Sequence, residues 1–149
     1  MTETARVLLT AGLLSLATAV VFAGRLRRID ASDPTRLIGE LRLAQWAAVG
    51  LAAMGGAPIG LAVAGAAQPL AHLDLTFGIA FILLAGAILH QEPARALRLA
   101  SGGFILHALV ALAHRPGWLS PTLSPLWFTA GSATYDVCLA ATCFWATWR

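Results

Sequence analysis

The sequence predicts an all-α fold, a transmembrane bundle of about five membrane-spanning helices with the N-terminus outside and the C-terminus inside. Three observations support this prediction. Of the 149 residues, 58% are hydrophobic and only 11% are charged, whereas a soluble domain carries about 25% charged residues. Five apolar stretches approach the ~20 residues that a helix needs to cross the hydrocarbon core. The arginines are concentrated in the connections on one side of these stretches.

The five predicted spans indicate a single transmembrane helical domain over residues 1–149. They cover about residues 7–24, 41–67, 73–89, 97–113 and 126–148. We expect the first span to be retained, because its arginines follow the apolar core, whereas a signal peptide has its positive charges before the core. Pro69 separates the second span from the third.

Three dipeptides predict helix starts, because a capping residue followed by proline at the first helical position is a common N-terminal pattern. They are Asp33-Pro34 ahead of the second span, Glu92-Pro93 ahead of the fourth and Ser124-Pro125 ahead of the fifth. The connections that remain are short, so sequential spans are expected to be antiparallel neighbours.

The distribution of arginine predicts the orientation. Only Arg6 and Arg115 fall on one side of the membrane, and the other eight fall on the opposite side, which the positive-inside rule assigns to the cytoplasm. These eight are Arg25, Arg27, Arg28, Arg36, Arg42, Arg95, Arg98 and Arg149. We therefore expect a multi-pass protein of a bacterial cytoplasmic membrane, with the lipid bilayer as its first partner.

The composition also limits the function. The formal net charge of +3 is explained by topology, so no nucleic-acid partner is expected. The sequence contains no Gly-rich phosphate loop and no zinc-type ligand spacing. Cys138 and Cys143 lie five residues apart on one predicted helix, too far for a bridge within it, and are expected to be free thiols. An enzyme is not the favoured class.

Small residues recur on one face of the second span. Ala52, Gly56, Gly60 and Ala64 are spaced four apart, a pattern that lets two membrane helices approach closely. Gly50, Gly55 and Gly65 widen this small surface. The favoured interpretation is packing within the chain, and the alternative is a groove or a contact with another chain. Since the chain has little extramembrane mass, the leading functional prediction is an accessory or interaction subunit of a larger homo- or hetero-oligomeric membrane complex.

Two aspartates and four histidines lie within the spans or at their ends. A charged side chain at the bilayer centre costs about 2.5–3.5 kcal/mol on insertion scales and usually has a partner. At 1.5 Å of rise per residue, three of the six lie at the outer face, a fourth lies about 10 Å deeper, and a fifth lies near the midplane. In that order these five are His72, Asp74 and His114, then His107, then Asp136; the sixth, His90, lies at the inner end of the third span.

This depth order supports a second functional prediction. His114, His107 and Asp136, together with Asp74, would form a path for protons or ions, because histidine titrates near neutral pH and intramembrane Asp/His chains mark relays. The chain would then be a small proton-coupled transporter or an ion-conducting protein. A structural alternative stays open, in which Asp136 simply pairs with His107 or accepts a hydrogen bond from Tyr135 or Ser132.

A third prediction concerns a cofactor. His72 and His114 belong to different helices at matched depth, as two axial ligands of haem b would. That would make the chain a haem- or quinone-binding redox subunit. No cofactor is the leading expectation, because the histidine spacing does not match a chelating motif.

Overall fold

The fold is an all-α bundle, as the sequence predicts. The computed structural model describes residues 3–64, 71–114 and 126–148, and within them it is 90% helical with five helices and no strand. The helices are α1 (Glu3–Leu26), α2 (Pro34–Ala64), α3 (Ala71–Leu89), α4 (Pro93–Ala113) and α5 (Leu126–Thr147). Residues 65–70, with Pro69, and 115–125, with Ser124-Pro125, lie outside the described part of the chain.

Four of these helices, α1 to α4, are long and apolar enough to cross a membrane. The chain is therefore a small multi-pass membrane protein. The fifth helix, α5, is 22 residues long and carries Asp136 near its middle; within the described residues it is not among those four. We call the end of the bundle where α1, α3 and α5 finish the inner end, following the predicted orientation, and the opposite end the outer end.

The helix starts at Pro34 and Pro93 are confirmed. Ahead of α2, Asp33 Oδ1 accepts hydrogen bonds from the Thr35 backbone N–H at 2.8 Å and from the Thr35 hydroxyl at 2.7 Å. These two bonds hold the pKa of Asp33 below its usual value, since they stabilise the carboxylate. Ahead of α4, Glu92 occupies the N-cap position without a side-chain capping hydrogen bond.

The core lies mainly among α2, α3, α4 and α5. Its largest apolar side chains are Leu51, Phe81, Ile88, Leu97 and Phe104. Much of the rest of the core is alanine, which brings the helix backbones close together. Close packing of this kind replaces the hydrophobic driving force that is missing between helices in lipid.

The closest approach of two helices joins Gly55 of α2 to Gly78 of α3. A Cβ atom built on Gly55 would lie 2.7 Å from the Gly78 carbonyl oxygen, and one built on Gly78 would lie 2.5 Å from the Gly55 carbonyl oxygen. Only glycine fits on both sides of such a contact. It ties the outer half of α2 to the first two turns of α3 and makes them antiparallel neighbours.

The residues of the small-residue stripe of α2 differ in how closely the rest of the described chain approaches them. Among the described residues, a Cβ atom on Gly56 or Gly60 would meet no atom within 4 Å, so the packing predicted for these two residues stays a prediction. Ala52 is partly buried against the core, and the side chain of Ala64 lies outside the described part. The close contact uses Gly55, one residue before Gly56.

The helix α1 is packed least. Most of its large apolar side chains are exposed, as suits a helix that faces lipid. It runs parallel to α5, because Ser15 bonds to Tyr135 at 2.7 Å and Arg27 lies 5.1 Å from the centre of the Trp145 ring. A cation over an indole face is attractive, so α1 is held to α5 near its middle and at its inner end.

Candidate functional site

A buried histidine–aspartate pair joins α4 to α5 in the middle of the bundle. His107 Nδ1 lies 2.6 Å from Asp136 Oδ2, and Asp136 is completely buried at 0% exposure. Its other carboxylate oxygen, Oδ1, is also buried and makes no hydrogen bond within the described residues. The alternative in which Asp136 pairs with His107 had predicted this partner from the sequence. The orphaned oxygen makes the site unusual, since buried polar atoms are nearly always bonded.

The His107 ring is held from two sides. Asp136 binds Nδ1, and Phe81 of α3 packs against the ring edge to face at a centroid distance of 5.0 Å. The other ring nitrogen, Nε2, makes no hydrogen bond within the described residues, and 13% of the side chain is exposed. The carboxylate thus fixes one ring nitrogen, and 13% exposure leaves the other side of the ring partly accessible.

A second pair joins α3 to α4 at the outer end. His114 Nε2 lies 2.7 Å from Asp74 Oδ1, and His114 Nδ1 lies 2.7 Å from the Val110 carbonyl oxygen. A carbonyl oxygen can only accept, so Nδ1 must carry a proton. The contact at Nε2 then needs a further proton, placed either on the imidazole or on the carboxyl group of Asp74.

The four predicted path residues form two pairs, not one cluster. α4 supplies both histidines, seven residues apart, which is about 10 Å along a helix axis. α3 and α5 supply one carboxylate each. Within the described residues no group of three or more His, Cys, Asp or Glu side chains could hold a metal ion.

The predicted haem ligands do not fit a haem. Both ring nitrogens of His114 are engaged in hydrogen bonds, so neither has a lone pair free for iron without breaking one. His72 is exposed at the first turn of α3. His90 is exposed at the inner end and joins neither pair.

One buried ion pair was missed from the sequence. Arg36 Nε donates to Glu40 Oε1 at 3.0 Å on α2, and both side chains are buried. Arg36 Nη1 also donates to the Ile29 carbonyl oxygen at 3.3 Å, so the pair ties the α1–α2 connection to α2. The spacing of four between opposite charges could have revealed it, but Arg36 was counted only for orientation.

An apolar groove runs along the inner half of the bundle, between α1 and α2, with α4 and α5 at its floor. Its volume is about 520 Å³, and its lining includes Ser15, Phe22, Arg42, Trp46, Phe104 and Tyr135. Tyr135 was a candidate partner for Asp136, but its hydroxyl bonds to Ser15 instead. Consecutive residues of α5 thus face the groove and the buried histidine–aspartate pair.

Comparison with known protein families, with curated proteins and with solved structures found no match in any of the three.

Proposed function

We propose that the chain is a small proton-coupled transporter or proton-conducting membrane protein, in which His107 and Asp136 form the proton-binding site. The observation that carries this proposal is the buried His107–Asp136 contact of 2.6 Å with an orphaned carboxylate oxygen. Ionisable residues within membrane spans are rare, and ion pathways and proton relays are among the functions that they mark.

Charge counting supports the proposal. With His107 neutral and Asp136 ionised, the pair carries one negative charge in a fully buried place. One additional proton on either partner removes that net charge. Because an uncompensated charge is costly inside a membrane, the occupancy of this proton changes the energy of the α4–α5 contact. A site of this kind converts proton binding into a change of helix packing.

The outer pair supplies the entrance in this proposal. Asp74 is more exposed than Asp136, with 23% of its side chain accessible, so protons from the outer aqueous phase reach it first. The two histidines lie on one helix about 10 Å apart, a gap that bridging waters can span. The proton would then pass from His114 and Asp74 to His107 and Asp136.

The test is proton flux into proteoliposomes after a pH jump, read with a trapped pH-sensitive dye. Asp136→Asn keeps the size of the side chain and an acceptor for His107 but cannot be ionised, so flux should fall at least tenfold. Glu92→Gln is the matched control, because this exposed acid lacks a side-chain capping bond and should leave flux unchanged. Absence of flux in the wild-type protein, or equal flux in Asp136→Asn, would overturn the proposal.

The accessory subunit remains a second candidate, favoured by the open face at Gly56 and Gly60. A partner helix, from another copy or another membrane protein, could approach there as closely as α3 approaches Gly55. In a background with Cys138 and Cys143 replaced by alanine, Gly60→Cys should crosslink to a second chain in native membranes. Leu83→Cys, on an exposed part of α3, is the control, and equal crosslinking at both positions would argue against this interface.

The bacterial cytoplasmic membrane and the outside N-terminus are proposals as well, supported by the excess of arginine at the inner end. Fusions of alkaline phosphatase and of green fluorescent protein to the N-terminus and after residue 91 test them. The phosphatase should be active only at the N-terminus and fluorescence should appear only at residue 91. The reverse pattern would invert the orientation.

A further inference from the structure

We propose that the apolar groove binds one anionic membrane lipid, with an acyl chain along the groove and the phosphate at Arg42. This inference does not rest on the proton-coupled function, since it depends on different residues. The occupant follows from the volume of the groove, from its hydroxyl groups and from its one charged group.

The volume and the lining suit a hydrocarbon chain. About 520 Å³ lies within the ~300–1,000 Å³ of known small-molecule sites. The walls are apolar, with Phe22 of α1, Trp46 of α2 and Phe104 of α4 among them. Trp46 is 74% exposed, so the groove opens sideways towards lipid and a chain can enter from the bilayer without crossing water.

The hydroxyl groups of the groove lining already have hydrogen-bond acceptors and require none from a ligand. Ser15 donates to the Gly12 carbonyl oxygen at 2.9 Å, so its contact of 2.7 Å with Tyr135 must use the tyrosine proton. Thr18 donates to the Leu14 carbonyl oxygen at 2.8 Å. Since each donor already has an acceptor, a hydrocarbon chain leaves none of them unsatisfied. A ligand that is polar at its buried end gains little here.

Arg42 is the charged group of the lining, and it makes no ion pair or hydrogen bond within the described residues. Two other inner-end arginines are engaged, Arg36 with Glu40 and Arg27 with Trp145. Arg42 lies eight residues into α2, about 12 Å from its start, a depth from which a long side chain reaches the headgroup region. A guanidinium there matches a lipid phosphate.

Lipid retention tests the inference. The full chain is reconstituted in vesicles of phosphatidylcholine with a minor share of phosphatidylglycerol and is extracted again in mild detergent, and the lipids that stay bound are quantified by mass spectrometry. We expect phosphatidylglycerol to be enriched over phosphatidylcholine. In Arg42→Gln this enrichment should fall about fivefold, the factor that corresponds to the ~1 kcal/mol of one basic residue near anionic lipid.

Two control variants separate the groove from general effects. Arg98→Gln removes an exposed arginine near the start of α4 that does not line the groove, and it should leave the enrichment unchanged. Ala53→Phe fills the groove and should abolish retention of the lipid; Ala19→Phe does the same from α1 if the first variant fails to fold. Equal losses in Arg98→Gln and Arg42→Gln would overturn the proposal, as would full retention in the filled variants or a stoichiometric second copy of the chain in place of lipid.

Discussion

The helix α5 separates two regions of opposite character. On one side Asp136 meets His107 inside the bundle, and on the other Tyr135 faces an apolar groove that is open to lipid. In the first region the contact between His107 and Asp136 joins two helices. In the groove, Ser15 and Thr18 donate to carbonyl oxygens of their own helix, and Tyr135 bonds to Ser15. The difference shows that burial alone does not mark a site in a membrane protein. What sets the first region apart is the Asp136 carboxylate oxygen Oδ1, which is buried and makes no hydrogen bond within the described residues.

The largest effect on the free energy of unfolding is expected when the histidine of the buried pair, rather than that of the outer pair, is replaced by leucine. His107→Leu leaves Asp136 completely buried without its partner, which costs about 3–5 kcal/mol for a buried ion pair. His114→Leu leaves Asp74 partly exposed, where water can replace the imidazole, so the loss should be about 1 kcal/mol or less. The measurement is the free energy of unfolding in bicelles.

The double variant His107→Leu/Asp136→Leu provides the control for this contrast. Removing both partners removes the buried charge as well, so most of the stability should return. If the single variants at His107 and His114 were equally destabilised, the distinction between a buried and an accessible pair would be lost.

A smaller effect is expected at the contact of α2 with α3. Gly55→Ala and Gly78→Ala each place a Cβ atom against a backbone carbonyl, and overpacking of this kind costs about 1–3 kcal/mol. Gly56→Ala is the matched control, one residue away with no atom within 4 Å of the added carbon. Thermal unfolding in detergent compares the three, and a loss at Gly56 as large as at Gly55 would contradict the described register of the helices.

The smallest effect lies outside both regions, at the start of α2. The pKa of Asp33 is lowered from its usual 3.8, so its carboxylate stabilises the first turn above that pH, and this contribution disappears as the pH falls through the lower folded value. The Thr35 amide resonance should therefore titrate with a midpoint below 3.8. Asp33→Ala should remove this titration and leave the unfolding of the bundle unchanged; a midpoint above that value would show that the cap does not form.

Much of the fold was predictable, because crossing a bilayer requires long apolar segments and the boundaries have local causes. The helix starts at Pro34 and Pro93 follow from a residue that cannot donate a backbone hydrogen bond. The fifth span was predicted from length; α5 is 22 residues long, but within the described residues the helices long and apolar enough to cross a membrane are α1 to α4.

The candidate site was predictable only in part. Depth along each helix follows from residue number, so His107 and Asp136 could be placed near each other. Rotation and neighbour identity do not follow from residue number, and so the partnership of His114 with Asp74 was not foreseen. The predicted small surface of α2 included Gly55 as well as Gly56, and the sequence could not show which of the two meets α3, since a shift by one residue turns a helix through about 100°.

The adjacency of Tyr135 and Asp136 has a thermodynamic consequence. Two neighbouring residues share one stretch of backbone, so a groove ligand that shifts the α5 backbone at Tyr135 also shifts the carboxylate beside it. Any resulting change in proton affinity must appear, with the same magnitude, as a change in ligand affinity with pH. Titrating lipid retention against pH would therefore measure the coupling free energy between the two faces of α5 without any flux assay.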